Sequence, residues 1–350
     1  MSTPVGTSSR SQRLRMKLAG HVLRRLPAPV LGAVLRRGAQ GGKSALPPFG
    51  EFVALLEGLG PAADRVMDQH NPIDLVARFP ELATVTVRHL RLGPAGVPAR
   101  VYRHPDKPVV SALVWVHGGA YVSGSLDMHE SHGVGLALAA RGVAVLALDY
   151  RKALHGVRYP VPRDDVLAGW HWAVENSTDA LGTTADALHL GGASAGGNLV
   201  ASATRYLLDH KKPPPRTLIL AYASLHSGIP DWDPAELAAI REATNGTCFE
   251  PQWLVEMNLH YAGPDHMNDP AAFAGLGDPL AGHPPTFFLD CENDTVRPSA
   301  ELFARQLTKA GVPCERHLLT RASHGSLNRP AGADGQEALG VLAKWIEDRS

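Results

Sequence analysis

The chain has 350 residues, 44% of them hydrophobic and 19% charged, which is enough apolar material for a sizeable globular core. Lys plus Arg and Asp plus Glu both number 34, so the chain as a whole carries no field that would recruit nucleic acid, and no nucleic-acid partner is expected. Cys248, Cys291 and Cys314 are far apart with no CxxC pattern, which argues against a disulfide framework or a zinc site and fits reduced thiols in a cytoplasmic protein.

The neutral balance breaks at the N-terminus, where the first 43 residues hold nine Lys or Arg and no acid. The apolar run Leu26 to Leu35 is ten residues long, contains two prolines and meets Arg36 and Arg37 instead of a small-residue cleavage site. Neither a signal sequence nor a bilayer span is expected from it. The segment reads as a helical arm; weak contact with an anionic membrane surface is the sharper reading, and a transit peptide a minor one. Between Ser44 and Pro80, Phe52, Leu55, Leu56 and Leu59 make one helical stripe.

Sheet signals follow. Val85 to Leu92 and Ala99 to His104 alternate apolar and polar residues, as a half-buried antiparallel pair does. Ala112 to Val116, Val143 to Tyr150, Leu188 to Leu190, Thr217 to Ala223 and Thr286 to Cys291 are near-continuous apolar runs. Helical stretches separate most of them: Met128 to Arg141, Arg163 to Glu175, Gly196 to His210 and Pro298 to Ala310. Such alternation predicts parallel strands covered on both faces. A strand-like Cys314 to Thr320 and a helix near Gln336 to Ile346 complete an α/β series of eight strands. Ser227 to Gly263 interrupts it with helical pieces between two strands, the mark of a lid or cap. His129 and His132 in HESH would share a helix face, but no HExxH or other ligand spacing follows, and no metal is expected.

The stretch LHLGGASAGGN, Leu188 to Asn198, poses the chemical question. No frame through Gly191, Gly192, Gly196 and Gly197 gives a dinucleotide fingerprint, and no Gly-Lys-Ser/Thr supplies a phosphate loop. Gly192 to Gly196 does match GxSxG between an apolar strand and a helix, the setting of a nucleophile elbow centred on Ser194. A serine needs a base oriented by an acid, and in elbow folds both follow the serine in the order acid, histidine. Asp290, Glu292 and Asp294 are the candidate acids; Asp294, on the loop beyond the apolar strand, is favoured. His317 lies in a strand-like run and His283 precedes the acid, which favours His324 in the loop TRASHGSLN. WVHGGAYVSG supplies a glycine-containing loop after another buried strand, with the N–H groups of Gly119, Ala120 and Ala195 expected at a developing oxyanion and His117 bracing the loop.

With these residues assembled, the chain resembles the hormone-sensitive-lipase-like group of α/β-hydrolase esterases. The resemblance runs from about Val85 onward through HGGAYVSGSLDM, LALDYR, YPVPRDDV, GGASAGGN, HPPTFFLDCENDTVRPSAELFARQL and SHGSLN. It implies an α/β-hydrolase fold: a mostly parallel eight-stranded sheet with helices on both faces and a helical cap. It also implies Ser194 as nucleophile, Asp294 as acid, His324 as base, an oxyanion loop at Gly118, Gly119 and Ala120, and no metal or organic cofactor. Residues 1–80 would be an N-terminal arm or cap, and 81–350 the catalytic domain with a cap insertion at about 227–263.

The chain departs from the family at Ala120, where a third glycine is common, and at Ala193, where relatives carry an acidic or hydroxyl residue. Leu154-His155-Gly156 stands where Ala-Pro-Glu is usual. The expected activity is serine carboxylester hydrolysis of small to medium acyl esters, by a monomer or homodimer. The alternatives are an acyltransferase, cyclase or amide-bond enzyme on the same triad, and a non-catalytic ligand-binding module, against which His324 argues.

Overall fold

Strand alternation decides the architecture. In this computed structural model the described residues are 9–25, 47–60, 73–230 and 233–350; the apolar run at 26–35 and the cations Arg36, Arg37 and Lys43 lie outside them. Strands β1 (Thr86–Leu92), β2 (Val97–Arg103), β3 (Ser111–Val116), β4 (Val143–Leu148), β5 (Leu188–Ala193), β6 (Leu218–Ala221), β7 (Thr286–Asn293) and β8 (Cys314–Ser323) form one sheet. Their order is β1-β2-β4-β3-β5-β6-β7-β8. β2 runs antiparallel to β1 and β4, and the remaining pairs are parallel.

Helices longer than one turn are α1 (Arg10–Leu23), α2 (Phe49–Leu59), α3 (Val134–Ala139), α4 (Val161–Glu175), α5 (Ala195–Asp209), α6 (Pro234–Ala243), α7 (Pro251–Ala262), α8 (Arg297–Lys309) and α9 (Ala333–Glu347). Leu113, Trp115, Ile219 and Phe287 face α3 and α9, where Val134, Leu342 and Trp345 meet them. Val114, Val116, Leu190 and Phe288 face the other way, onto Trp170, Leu199 and Phe303 of α4, α5 and α8. Both sides of a strand being buried is why these runs read as continuously apolar, and each large residue so buried stabilises the fold by about 1.5–3 kcal/mol.

The chain leaves β3 toward β4 on one side and returns to β5 on the other, so the ends of β3 and β5 sit side by side, with Val116 opposite Gly192. This is the switch point at which open α/β sheets build their sites.

Two local features differ from the expectation. β5 runs on through Gly191 and Gly192 to Ala193, and its glycines serve close packing: a Cβ at Gly191 would press on Trp115 at 3.1 Å, and one at Gly192 would collide with Gly196 O at 2.5 Å. The helix expected from Met128 begins instead as a π-turn, His129–Gly133, before α3. Its histidines turn to separate partners, His129 to the carbonyls of Ile73 and Asn328, and His132 to the Tyr102 hydroxyl.

At the N-terminus α1 crosses α2 at backbone contact. A Cβ on Gly58 would lie 2.2 Å from Lys17 O, and Lys17 Nζ bonds Glu57 Oε2 at 2.9 Å. α2 in turn meets the β6–β7 insertion: Phe49 packs edge-on against Trp253 of α7 at 4.8 Å, and Trp253 Nε1 donates to Pro47 O at 3.1 Å. Among the described residues, no helix is long and apolar enough to cross a membrane.

Candidate active site

Ser194 occupies the tight turn between β5 and α5 with φ 52° and ψ −120°, a left-handed conformation that costs an L-residue about 1–3 kcal/mol. The surroundings hold it there. Its N–H donates to Ala221 O on β6 at 2.9 Å. Gly196 lets α5 settle onto β3, since a Cβ would sit 2.3 Å from Val116 O and 2.4 Å from His117 O. Ala193 is fully buried in the apolar cluster with Trp115 and Leu327, so the residue before Ser194 is a hydrocarbon side chain.

His324, in the loop after β8, points Nε2 at Ser194 Oγ (2.9 Å) and Nδ1 at Asp294 Oδ2 (2.7 Å). Asp294, 1% exposed beyond the end of β7, is pinned through Oδ1 by the N–H of Val296 at 2.9 Å. The structure therefore gathers the three side chains that the sequence singled out. Burial, the largest influence on His324, disfavours its imidazolium, but the charge and hydrogen bond of Asp294 outweigh it and hold the group above its ordinary 6.5. The imidazole lies between two ring edges, Tyr222 and Phe249, each with its centroid 5.0 Å away.

The other candidates have separate partners. Asp290 pairs with Arg316 at 2.8 Å, Glu292 accepts the N–H of Arg321 at 2.6 Å, His317 bonds Glu337, and His283 bonds Pro284 O. His117 bonds its neighbour's carbonyl, Gly118 O, at 2.7 Å and stacks on Tyr150 at 4.9 Å, in keeping with a brace.

The loop after β3 turns its carbonyls back into the protein. Gly118 O accepts the Tyr150 hydroxyl at 3.0 Å, and Gly119 O accepts the N–H groups of Val122 and Ser123 at 3.0 and 2.9 Å. Among the described residues, no acceptor takes the N–H of Gly119, Ala120 or Ala195. Gly118 is a correction: its N–H is already committed to Glu130 Oε1 at 2.6 Å, so it is not an oxyanion donor. Ala120 adopts φ 54° and Gly119 φ 109°; the glycine is obligatory, because a Cβ there would lie 2.1 Å from Ser123 O, whereas the alanine tolerates its strain.

Sequence reasoning missed Glu130, Tyr222 and Asn328, of which Tyr222 and Asn328 each donate to Glu130 Oε2. Asp127 and Glu130 are the two acids in the stretch from Tyr121 to Ala140, and the acid set between His129 and His132 was the available signal for Glu130. Chemically the arrangement offers a hydroxyl whose proton has a path to an imidazole, with backbone donors in the adjoining loop that have no acceptor among the described residues.

The sequence pattern of the alpha/beta hydrolase fold matches residues 113–328. An ethyl acetate hydrolase of Pseudomonas putida is 32% identical over 233 residues, 65% of this chain and 70% of its own length. Carboxylesterase NlhH of Mycobacterium tuberculosis is 30% identical over 242 residues, covering 67% and 73%. Among solved structures, esterase LipW of Mycobacterium marinum superposes with a TM-score of 0.68 at 29% identity, covering 82% of this chain and 88% of its own.

Proposed function

The chain belongs to the alpha/beta hydrolase fold family, alongside the hormone-sensitive-lipase-like esterases, and on that premise we propose that it acts as a serine carboxylic ester hydrolase on small to medium acyl esters. The continuous relay Asp294–His324–Ser194, with contacts of 2.7 and 2.9 Å, is the observation that supports this most. Ser194 Oγ attacks the ester carbonyl while His324 Nε2 takes its proton, and Asp294 fixes the imidazole tautomer. The tetrahedral oxyanion is received by the N–H groups of Gly119, Ala120 and Ala195, each worth about 3–4 kcal/mol in the transition state. His324 returns the proton to the departing alcohol, leaving Ser194 acylated. Water, deprotonated by the same imidazole, then releases the acid.

The substrate range comes from the relatives' names and from the aromatic residues beside His324. We propose that α1, α2 and the 227–263 insertion form a cap over the Ser194 to His324 line, a reading supported by the Phe49–Trp253 packing and by Phe249 against His324. The exposed stripe Leu14, Leu18 and Val22 on basic α1 supports weak contact with an anionic membrane surface. Transfer of the acyl group to an alcohol or amine is favoured by no specific feature among the described residues.

Ser194→Ala should lower turnover of p-nitrophenyl acetate by about 10⁶-fold, as loss of the nucleophile does in another serine hydrolase. It should also abolish labelling by a serine-directed phosphonate. A variant that keeps most of its turnover would overturn the reading.

A further inference from the structure

Glu130 lies outside the proton relay, yet its side chain reaches three of the loops that build the site. It is 2% exposed, in the π-turn before α3. Oε1 accepts the N–H of Gly118, the first glycine of the oxyanion loop, at 2.6 Å. Oε2 accepts the hydroxyl of Tyr222, just beyond β6, at 2.6 Å and Nδ2 of Asn328, four residues after His324, at 3.2 Å. The backbone of the same residue adds two ties: its N–H donates to Asn328 Oδ1 at 3.2 Å, and its carbonyl accepts Trp115 Nε1 at 2.7 Å.

We propose that Glu130 is a positioning residue that holds the oxyanion loop and the histidine loop in one register. A buried carboxylate with three donors is well satisfied, and such charge-assisted bonds are about twice as strong as neutral ones. Releasing any of them leaves a buried polar group unpaired, so the three loops are tied to a single anchor. The anchor also bears on the nucleophile. A Cβ at Gly118 would lie 2.8 Å from Glu130 Oε1 and 2.9 Å from Ser194 Cβ, so this stretch of backbone fits between acid and serine with no slack. Moving the carboxylate moves Gly118, and with it the next two N–H groups in line, those of Gly119 and Ala120.

The charge has a second effect. The charged groups acting on His324 are Asp294, Glu130 and Arg329; the two acids favour its imidazolium, and Arg329 opposes it. Glu130 thereby sets loop geometry and helps to set the basicity of the imidazole.

The inference rests on the ester hydrolase reading, and wild-type turnover separates the two. A wild-type chain inactive on p-nitrophenyl acetate would sink that reading, whereas an active one with unaffected Glu130 variants would sink only this inference. The decisive measurement is kcat per phosphonate-titrated site across pH. Glu130→Gln should lower kcat about 10- to 100-fold, as a displacement of about 1 Å does, with KM within about twofold. It should also move the acidic limb of kcat/KM to lower pH. Glu130→Asp keeps the charge and loses the reach, so kcat should fall while the limb stays. A merely structural residue would reduce the melting temperature and the titratable fraction, but neither kcat per site nor the limb. Glu130→Gln with wild-type kcat and limb overturns the proposal. If that variant does not fold, Tyr222→Phe decides, since it removes a single donor: lowered kcat per site supports the proposal, and wild-type kcat overturns it.

Discussion

His324 Nδ1 lies 2.7 Å from Asp294 Oδ2, close enough for the aspartate to fix the tautomer and outweigh the cost of burying the ring. The folded imidazole therefore holds its proton above the ordinary 6.5. Because the neutral ring is the base, kcat/KM should rise with pH through that elevated value, with its acidic limb above pH 6.5. Asp294→Asn should cut kcat by about 10⁴ and bring the limb down, which a pH–rate profile with p-nitrophenyl acetate checks. A limb at the same pH in both proteins contradicts the assignment.

Gly196 is the second test of the site. Its missing side chain admits the carbonyls of Val116 and His117, both rigid backbone groups at the end of β3. Gly196→Ala should cost about 3 kcal/mol, the upper range for overpacking, and slow phosphonate capture by Ser194. Urea unfolding together with labelling rates measures both; wild-type values in each would show that the elbow has room to spare.

Asp290 makes a stability prediction with a definite sign. Burial pushes its carboxyl up to about 6 despite the neighbouring Arg316, against an ordinary 3.8. The folded chain thus holds a proton that the unfolded chain has released, so the contribution of Asp290 to stability is full below pH 3.8 and is lost as pH rises toward about 6. Asp290→Asn removes that slope. The melting temperature of the variant minus that of wild type should grow between those limits and level off above them; a constant difference would count against the account.

Leu14, Leu18 and Val22, 59%, 55% and 65% exposed, follow one line along α1, and the helix and its C-terminal end bring Arg10, Arg15, Arg24 and Arg25. Co-sedimentation with phosphatidylcholine vesicles containing phosphatidylglycerol should exceed that with phosphatidylcholine alone. Leu14→Ser with Leu18→Ser should lower the partition at least about tenfold, given the apolar area withdrawn. Equal binding of variant and wild type, or binding indifferent to lipid charge, removes the membrane reading.

The parallel strands were legible because both their faces are buried, which writes Val, Leu, Ile and Phe into unbroken runs. The end of β5 was not, since its glycines serve close packing and imitate a turn in the sequence. Ser194, Asp294 and His324 could be singled out because each sits where a strand ends and small or polar residues begin. The anchoring role of Glu130 depends on Tyr222 and Asn328, 92 and 198 residues away, and no local pattern records partners at that range. Gly118 is only 12 residues from Glu130, but it bonds through its backbone N–H, which leaves no mark in the residue type.

Phe249 and Tyr222 grip the His324 ring from different parts of the chain, one from the β6–β7 insertion and one from the sheet. The base is therefore shared property: half of its cradle comes from beside the sheet, and half belongs to the segment proposed as a cap. Substrate bulk can thus alter the swing of the imidazole as well as the space available, so chain-length preference in this protein should register in kcat and not in KM alone.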